Sequence, residues 1–243
     1  MPQPRDEANP RPLSPPVHSV YSVHFVHLRP LKETPLRRHA FLASRRFLGV
    51  YQADPRRGKV SATRDIQAGE GWRLRSADLS DADGLYALAS IPLVYRYLFD
   101  GSPPGKEFIR SRVAECVANA GEAGLGMWFL ENVPTRYAGC VELRPYPAAR
   151  TAEVIYLLDP HFWGQGLALR MAWSAITHAF SSSQIHSVVA GADGENAASI
   201  AVMRRLAMRF HQDVLYPLGA GVEYVLHKDD KGPVPRPPLI TMG

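Results

Sequence analysis

Cysteine is scarce in this chain. Cys116 and Cys140 are the only two among 243 residues, which excludes a disulfide-stapled scaffold and any zinc site built from several thiolates. A reducing, cytoplasmic setting is therefore the default expectation. Long apolar runs are missing too. No stretch approaches the roughly 18 consecutive apolar residues of a membrane helix. The opening segment has no apolar run of the about 7–15 residues that a secretory leader carries. Lysine is rare, only 5 of the 28 basic residues, so arginine sets the positive charge.

That charge is unevenly placed. Residues 1–69 hold 12 Lys/Arg against 5 Asp/Glu, whereas residues 70–228 hold 14 against 16. The part with core-forming composition is slightly acidic, so the basic isoelectric point is no argument for a nucleic-acid partner. Residues 1–69 are interrupted by prolines and by the pairs Arg37-Arg38, Arg45-Arg46 and Arg56-Arg57. They read as a disordered basic extension; an Arg-rich, acid-poor start also fits an organellar transit peptide. His18, His24 and His27 lie there without acidic or thiol co-ligands, so no metal is expected. Residues 229–243 carry Pro233, Pro235, Pro237 and Pro238 and read as a flexible tail.

Between these ends the patterning is regular. Trp72 to Arg75 alternates as a short strand, and Ser80-Asp81-Ala82-Asp83 has the form of a helix N-cap with an acidic third position. A helix is expected after Pro103-Pro104. Met127 to Leu130, Tyr137 to Leu143 and Ala152 to Leu158 read as three strands. A long helix follows from Gly166 to Phe180, then a strand, the helix Ala197 to Leu206, and two closing strands. The order predicts one mixed α/β domain over 70–228. Its sheet should be twisted, largely antiparallel and flanked by helices. A parallel pair is expected where strand, helix and strand succeed one another around 152–190.

The segment Leu157 to Ala168 runs from an apolar strand through Trp163-Gly164-Gln165-Gly166 straight into the long helix. Main-chain N–H groups at a helix start have no intrahelical partner, and the helix dipole favours an anion there. The Lys of a nucleotide-binding P-loop is absent, and position 169 is Leu where a dinucleotide fingerprint needs Gly. Two readings remain: a tight turn with a helix cap, or a loop that cradles a diphosphate.

Four stretches, in order, resemble the GNAT acetyltransferase superfamily and its RimJ/RimL-like branch. They are Trp72–Arg75 with Ala82–Tyr86; Val94–Leu98; Trp163–Ala168; and Glu195–Ile200 with Val202-Met203. The resemblance implies acetyl-coenzyme A as cosubstrate and no metal. It places the diphosphate on Trp163, Gly164, Gln165, Gly166, Leu167 and Ala168. The pantetheine arm would lie along the preceding strand, on the backbones of Leu157 and Leu158, and on Asn196, which is also a natural helix N-cap.

Acetyl transfer to an amine needs the amine neutral and a proton for the departing sulfur. Neutralising a lysine-like amine at pH 7 costs about 4–5 kcal/mol, a peptide α-amine only about 1.4. An N-terminal acceptor thus needs the weaker base. Glu142 and Glu153 are candidate bases. Ser199, which matches the family serine, is the candidate acid, unless it bonds its own helix backbone. The tyrosine that many relatives carry just beyond this helix is replaced by Ala207-Met208-Arg209-Phe210, and Tyr216 lies farther along the next strand. Cys140 reads as a buried thiol, and Trp128, Tyr95 and Tyr97 as core or acceptor-groove aromatics. The expected activity is N-acetylation of a primary amine, a protein or peptide N-terminus ahead of a small amine. The alternative is an inactive acyl-CoA-binding module. Monomer and homodimer both fit.

Overall fold

The computed structural model describes residues 71–99, 101–132, 135–240 and 242. The extension expected over 1–69 lies outside the described residues. The elements in chain order are β1 (Arg73–Ser76), α1 (Ala82–Ala89), the single turn α2 (Pro92–Tyr95), α3 (Lys106–Ala118), β2 (Gly126–Glu131), β3 (Gly139–Pro145), β4 (Thr151–Leu158), α4 (Leu167–Ser181), β5 (Ser187–Asp193), α5 (Ala197–Arg205), β6 (Arg209–Tyr216) and β7 (Gly219–His227). The seven strands form one sheet in the order β1-β2-β3-β4-β5-β7-β6. Every pairing is antiparallel except β4 with β5, the pair joined through α4.

Strand alternation sends side chains to two cores. Trp128 and Leu130 of β2 and Val141 and Leu143 of β3 share a buried cluster with Met171, Ala172, Ala175, Ile176 and Ala179 of α4. Alanine on successive turns of α4 lets helix and sheet approach closely. Met127, Phe129 and Cys140 point the other way and pack with Leu85 of α1 and Ile109 and Val113 of α3. Trp128 is therefore core, its ring edge-on to His178 with centroids 5.1 Å apart, and it lines no groove.

Two expectations differ from what is observed. The N-cap is Asp78, not Ser80. Asp78 accepts the Ser80 N–H at 2.7 Å, and Asp81 accepts the Asp78 N–H at 2.8 Å, closing a capping box around the turn Leu79–Asp81. Asp81 is drawn inward because Arg75 grips both its oxygens, at 2.7 and 2.9 Å, and Tyr137 Oη donates to it at 3.1 Å. The tail also departs from the loose segment expected. Ile240 is buried, its N–H donates to Ser174 Oγ at 2.7 Å, and the Pro238 carbonyl accepts from Arg170 Nε at 3.3 Å. Proline removes main-chain donors but leaves the tail's isoleucine free to fill an apolar site.

Asp81 has no solvent exposure, so removing it takes the bidentate partner from Arg75, which keeps Glu131, and the acceptor from two other donors. Asp81→Ala is expected to lower unfolding free energy by about 3–5 kcal/mol, read by denaturant titration. A loss below about 1 kcal/mol, the range of exposed pairs, would show the cluster to be dispensable.

Candidate active site

β4 and β5 pair only at Thr151↔Ser187, Ala152↔Val188 and Glu153↔Val189. Beyond Glu153 they part. β4 continues along β3 to Leu158, and β5 along β7 to Asp193. The result is a wedge with one edge of β4 unpaired. In an antiparallel ladder, alternate residues turn both main-chain groups to the same neighbour. The Asp159 N–H donates to the Ala138 carbonyl at 2.8 Å, and the Leu157 carbonyl abuts Gly139, so Leu157 faces β3. Tyr156 and Leu158 therefore present their main chain to the wedge. This corrects the expectation for Leu157. It also narrows that for Leu158, whose carbonyl already accepts the Trp163 indole N–H at 2.8 Å.

At the mouth of the wedge Asp159 caps the turn Pro160–Phe162, accepting the His161 N–H at 2.9 Å. Phe162 meets the Trp72 ring edge-on, centroids 5.3 Å apart, which pins the loop to the domain. Gly164 and Gly166 have φ of 76° and 74°. A Cβ at either would touch nothing within 4 Å, so glycine is required by backbone conformation, not by crowding. The Arg170 N–H closes the first helical bond, to Gly166 at 3.1 Å. The N–H groups of Leu167, Ala168 and Leu169 are thus left without intrahelical partners. Leu167 is itself core, so only its N–H can serve a ligand. Gln165 is exposed and folds back, Nε2 donating to the His161 carbonyl at 3.3 Å. This is a set of main-chain donors at a helix start, suited to a diphosphate.

Across the wedge, Asn196 caps α5. Its Oδ1 accepts the Ser199 N–H at 3.1 Å, and its Nδ2 makes no hydrogen bond among the described residues. The Ser199 hydroxyl does not turn back on its own helix; Oγ lies 2.9 Å from Tyr156 Oη on β4.

The candidate bases fare unequally. Glu142 is buried beneath α3, where Arg112 ion-pairs with it and Cys116 Sγ approaches at 3.6 Å. It is a strut between sheet and helix, which corrects its reading as a base. Glu153 stands at the apex of the wedge, but Arg144 holds its Oε2 from 2.7 and 2.8 Å. Burial pushes the Cys140 thiol well up, in keeping with packing.

A third carboxylate, passed over in the sequence, pairs with no cation among the described residues. Glu223 on β7 is 8% exposed, and Oε2 accepts from Tyr146 Oη at 2.9 Å and Gln212 Nε2 at 2.7 Å. The β-bulge between Phe210 and Gln212 sets Gln212 opposite it. Tyr216 lies beside it over Gly191 and Gly221, where any Cβ would overlap the phenol. Burial, with Glu223 next in effect, raises both the Tyr146 and Tyr216 phenols, so both stay protonated near neutrality. The available signal was a lone charge inside the apolar run Val222-Glu223-Tyr224-Val225.

The profile of the acetyltransferase (GNAT) domain matches residues 72–209. Among solved structures, an acetyltransferase of the GNAT family from Bacillus anthracis is similar over 69% of this chain and 100% of its own, at 19% identity and a TM-score of 0.57. A RimL ribosomal L7/L12 α-N-protein acetyltransferase in complex with coenzyme A is similar over 68% of this chain and 98% of its own, at 21% identity and a TM-score of 0.59. The Salmonella typhimurium enzyme that modifies the N-terminal serine of the ribosomal protein L7/L12 is similar over 68% and 99%, at 21% identity and a TM-score of 0.57.

Proposed function

Because the chain belongs to the acetyltransferase (GNAT) family, we propose that it transfers an acetyl group from acetyl-coenzyme A to a primary amine, with a protein or peptide α-amine as the preferred acceptor. The observation that carries this is the wedge. An unpaired stretch of β4 leads to a loop whose two left-handed glycines expose main-chain donors at the start of α4. Tyr156 and the Leu158 N–H offer the free strand edge that an amide-bearing arm can add to. Gly164, Gln165, Gly166, Leu167 and Ala168 offer N–H groups to a diphosphate, with Trp163 at the rim. Asn196 Nδ2 is free to donate to the arm.

Acetyl-coenzyme A, when bound, supplies an activated acyl thioester. The chain's own residues manage two protons. Glu223 takes the proton from the acceptor ammonium, because it pairs with no cation among the described residues and is steadied by Tyr146 and Gln212. Glu153, compensated by Arg144, adds negative potential that favours a cationic acceptor. Ser199 Oγ–H gives its proton to the sulfur as the C–S bond breaks. A single hydrogen-bonded carboxylate suits an α-amine, which needs only about 1.4 kcal/mol to deprotonate at pH 7, better than a lysine-like amine. The similarity to the RimL enzymes supports the same class of acceptor.

The test is coenzyme A release from acetyl-CoA across N-terminal peptides, lysine side-chain analogues and small amines. Peptides are expected to exceed lysine-like amines in kcat/KM by about 100-fold or more, in line with the difference in neutral fraction. Turnover confined to small amines would move the acceptor assignment. Calorimetric acetyl-CoA binding without turnover on any amine would instead identify a binding module.

A further inference from the structure

A pair of hydroxyls meets across the wedge. Tyr156 sits on β4 three residues past the last β4–β5 pair, and Ser199 in the first turn of α5. We propose that Tyr156 is a positioning residue for the Ser199 hydroxyl, its phenol O–H donating across the wedge to Ser199 Oγ so that the serine proton is left to meet the departing sulfur. This rests on the reading of Ser199 as the acid.

Three observations carry it. Tyr156 Oη is 2.9 Å from Ser199 Oγ and 3.4 Å from the Ser199 carbonyl, so the hydroxyl is the nearer acceptor. Among the described residues Ser199 Oγ has no other hydrogen-bond partner, neither its own helix backbone nor a neighbouring side chain. Burial pushes the Tyr156 phenol up to about 12, with the Ser199 bond opposing, so the phenol keeps its proton through the working range and has it to donate. A serine that accepts from a phenol keeps its own hydrogen to offer elsewhere.

The proton ledger is simple. The amine nitrogen bonds the acyl carbon, and the C–S bond breaks with its electron pair on sulfur; sulfur takes the Ser199 proton, and Ser199 Oγ is reprotonated, through water, by the proton the nitrogen sheds on becoming an amide, while Tyr156 holds it. Tyr156 gives up no proton. The chain lacks a tyrosine after α5, where Ala207 to Phe210 stand. The phenol here comes from β4, from the opposite side of the cleft, and orders the serine in place of acting on sulfur itself.

The experiment is a double-mutant cycle of Tyr156→Phe and Ser199→Ala in the full chain. It uses steady-state kinetics on the best amine of the panel and calorimetric acetyl-CoA affinity as the check that the cleft is intact. Tyr156→Phe is expected to lower kcat about 5- to 20-fold, the effect of one lost positioning hydrogen bond. KM and affinity for acetyl-CoA should stay within about twofold, because the variant leaves the main-chain cradle unchanged. Ser199→Ala is expected to lower kcat about 100-fold, within the range for a general acid. The double variant should be no slower than Ser199→Ala alone, since a phenol acting through the serine has nothing left to act on. If the two losses multiply, or if the Tyr156→Phe loss lies entirely in acetyl-CoA affinity, Tyr156 acts apart from Ser199 and the proposal fails while the serine reading stands. If Ser199→Ala turns over at the parent rate, the serine reading fails and takes the proposal with it.

Discussion

Gly166→Glu is expected to weaken acetyl-CoA binding by at least about 100-fold in calorimetry while the protein still folds. Gly166 is left-handed at φ 74°, with open space where a Cβ would go. The side chain therefore fits sterically, and a non-glycine residue costs about 1–2 kcal/mol in backbone strain. In a domain of this size that lowers Tm by only a few degrees, at about 2–4 °C per kcal/mol. The carboxylate itself is stabilised at a helix N-terminus, where an anion gains about 0.3–1 kcal/mol. It occupies the same N–H groups that a diphosphate would use and repels its charges. Gly166→Ala separates the two effects. It carries the strain without the charge and is expected to stay within about 30-fold of the parent, because strain of about 1–2 kcal/mol is the most it can lose. If Gly166→Glu binds within threefold of the parent and remains folded, the diphosphate does not sit at this loop.

Glu223→Gln is expected to lower kcat by about 100- to 1,000-fold at pH 7, within the range for loss of a general base. Acetyl-CoA affinity should be untouched, because the cradle lies at the other end of the wedge. The amide is close to isosteric and can still accept from Tyr146, so packing is preserved and only the proton site is removed. The pH dependence tells the mechanism apart from mere disturbance. As pH rises through the acceptor's pKa of about 8, the amine reaches the site already neutral and the variant should regain part of its rate. A structural defect would not recover. Glu153→Gln is expected to cost less than about tenfold, since that carboxylate is already committed to Arg144 and adds only potential. Should the Glu153 variant lose more than the Glu223 variant, the two carboxylates exchange roles.

Much of the fold was legible because its signals are local. Three strands before α4, the helix itself, and the later strand–helix–strand–strand run follow from apolar periods of 2 and 3.6 residues. The parallel placement of β4 and β5 follows because a helix-length crossover leaves little alternative. The loop from Trp163 to Ala168 was legible too. A left-handed backbone at Gly164 and Gly166 is a demand that neighbours in sequence impose and that glycine meets at least cost. Asn196 as a cap is likewise decided within one helical turn.

The carboxylates were a different matter. Glu142, Glu153 and Glu223 all stand on strands, and nothing local ranks them. What separates them is the company each keeps. Arg112 reaches Glu142 from α3, 30 residues away; Arg144 reaches Glu153 through strand register; Tyr146 and Gln212 reach Glu223 from 77 and 11 residues away, with no cation among them. The same holds for Tyr156 and Ser199, 43 residues apart and joined only because β4 and α5 flank one wedge. Propensity and left-handed turns are settled within a few residues, so the chain order and the glycine loop were determined by the sequence alone. Whether a charge is neutralised depends on which distant strand and helix pack against it, so which carboxylate stands without a cation among the described residues, and which side chain meets the serine hydroxyl, were decided only when the sheet had closed.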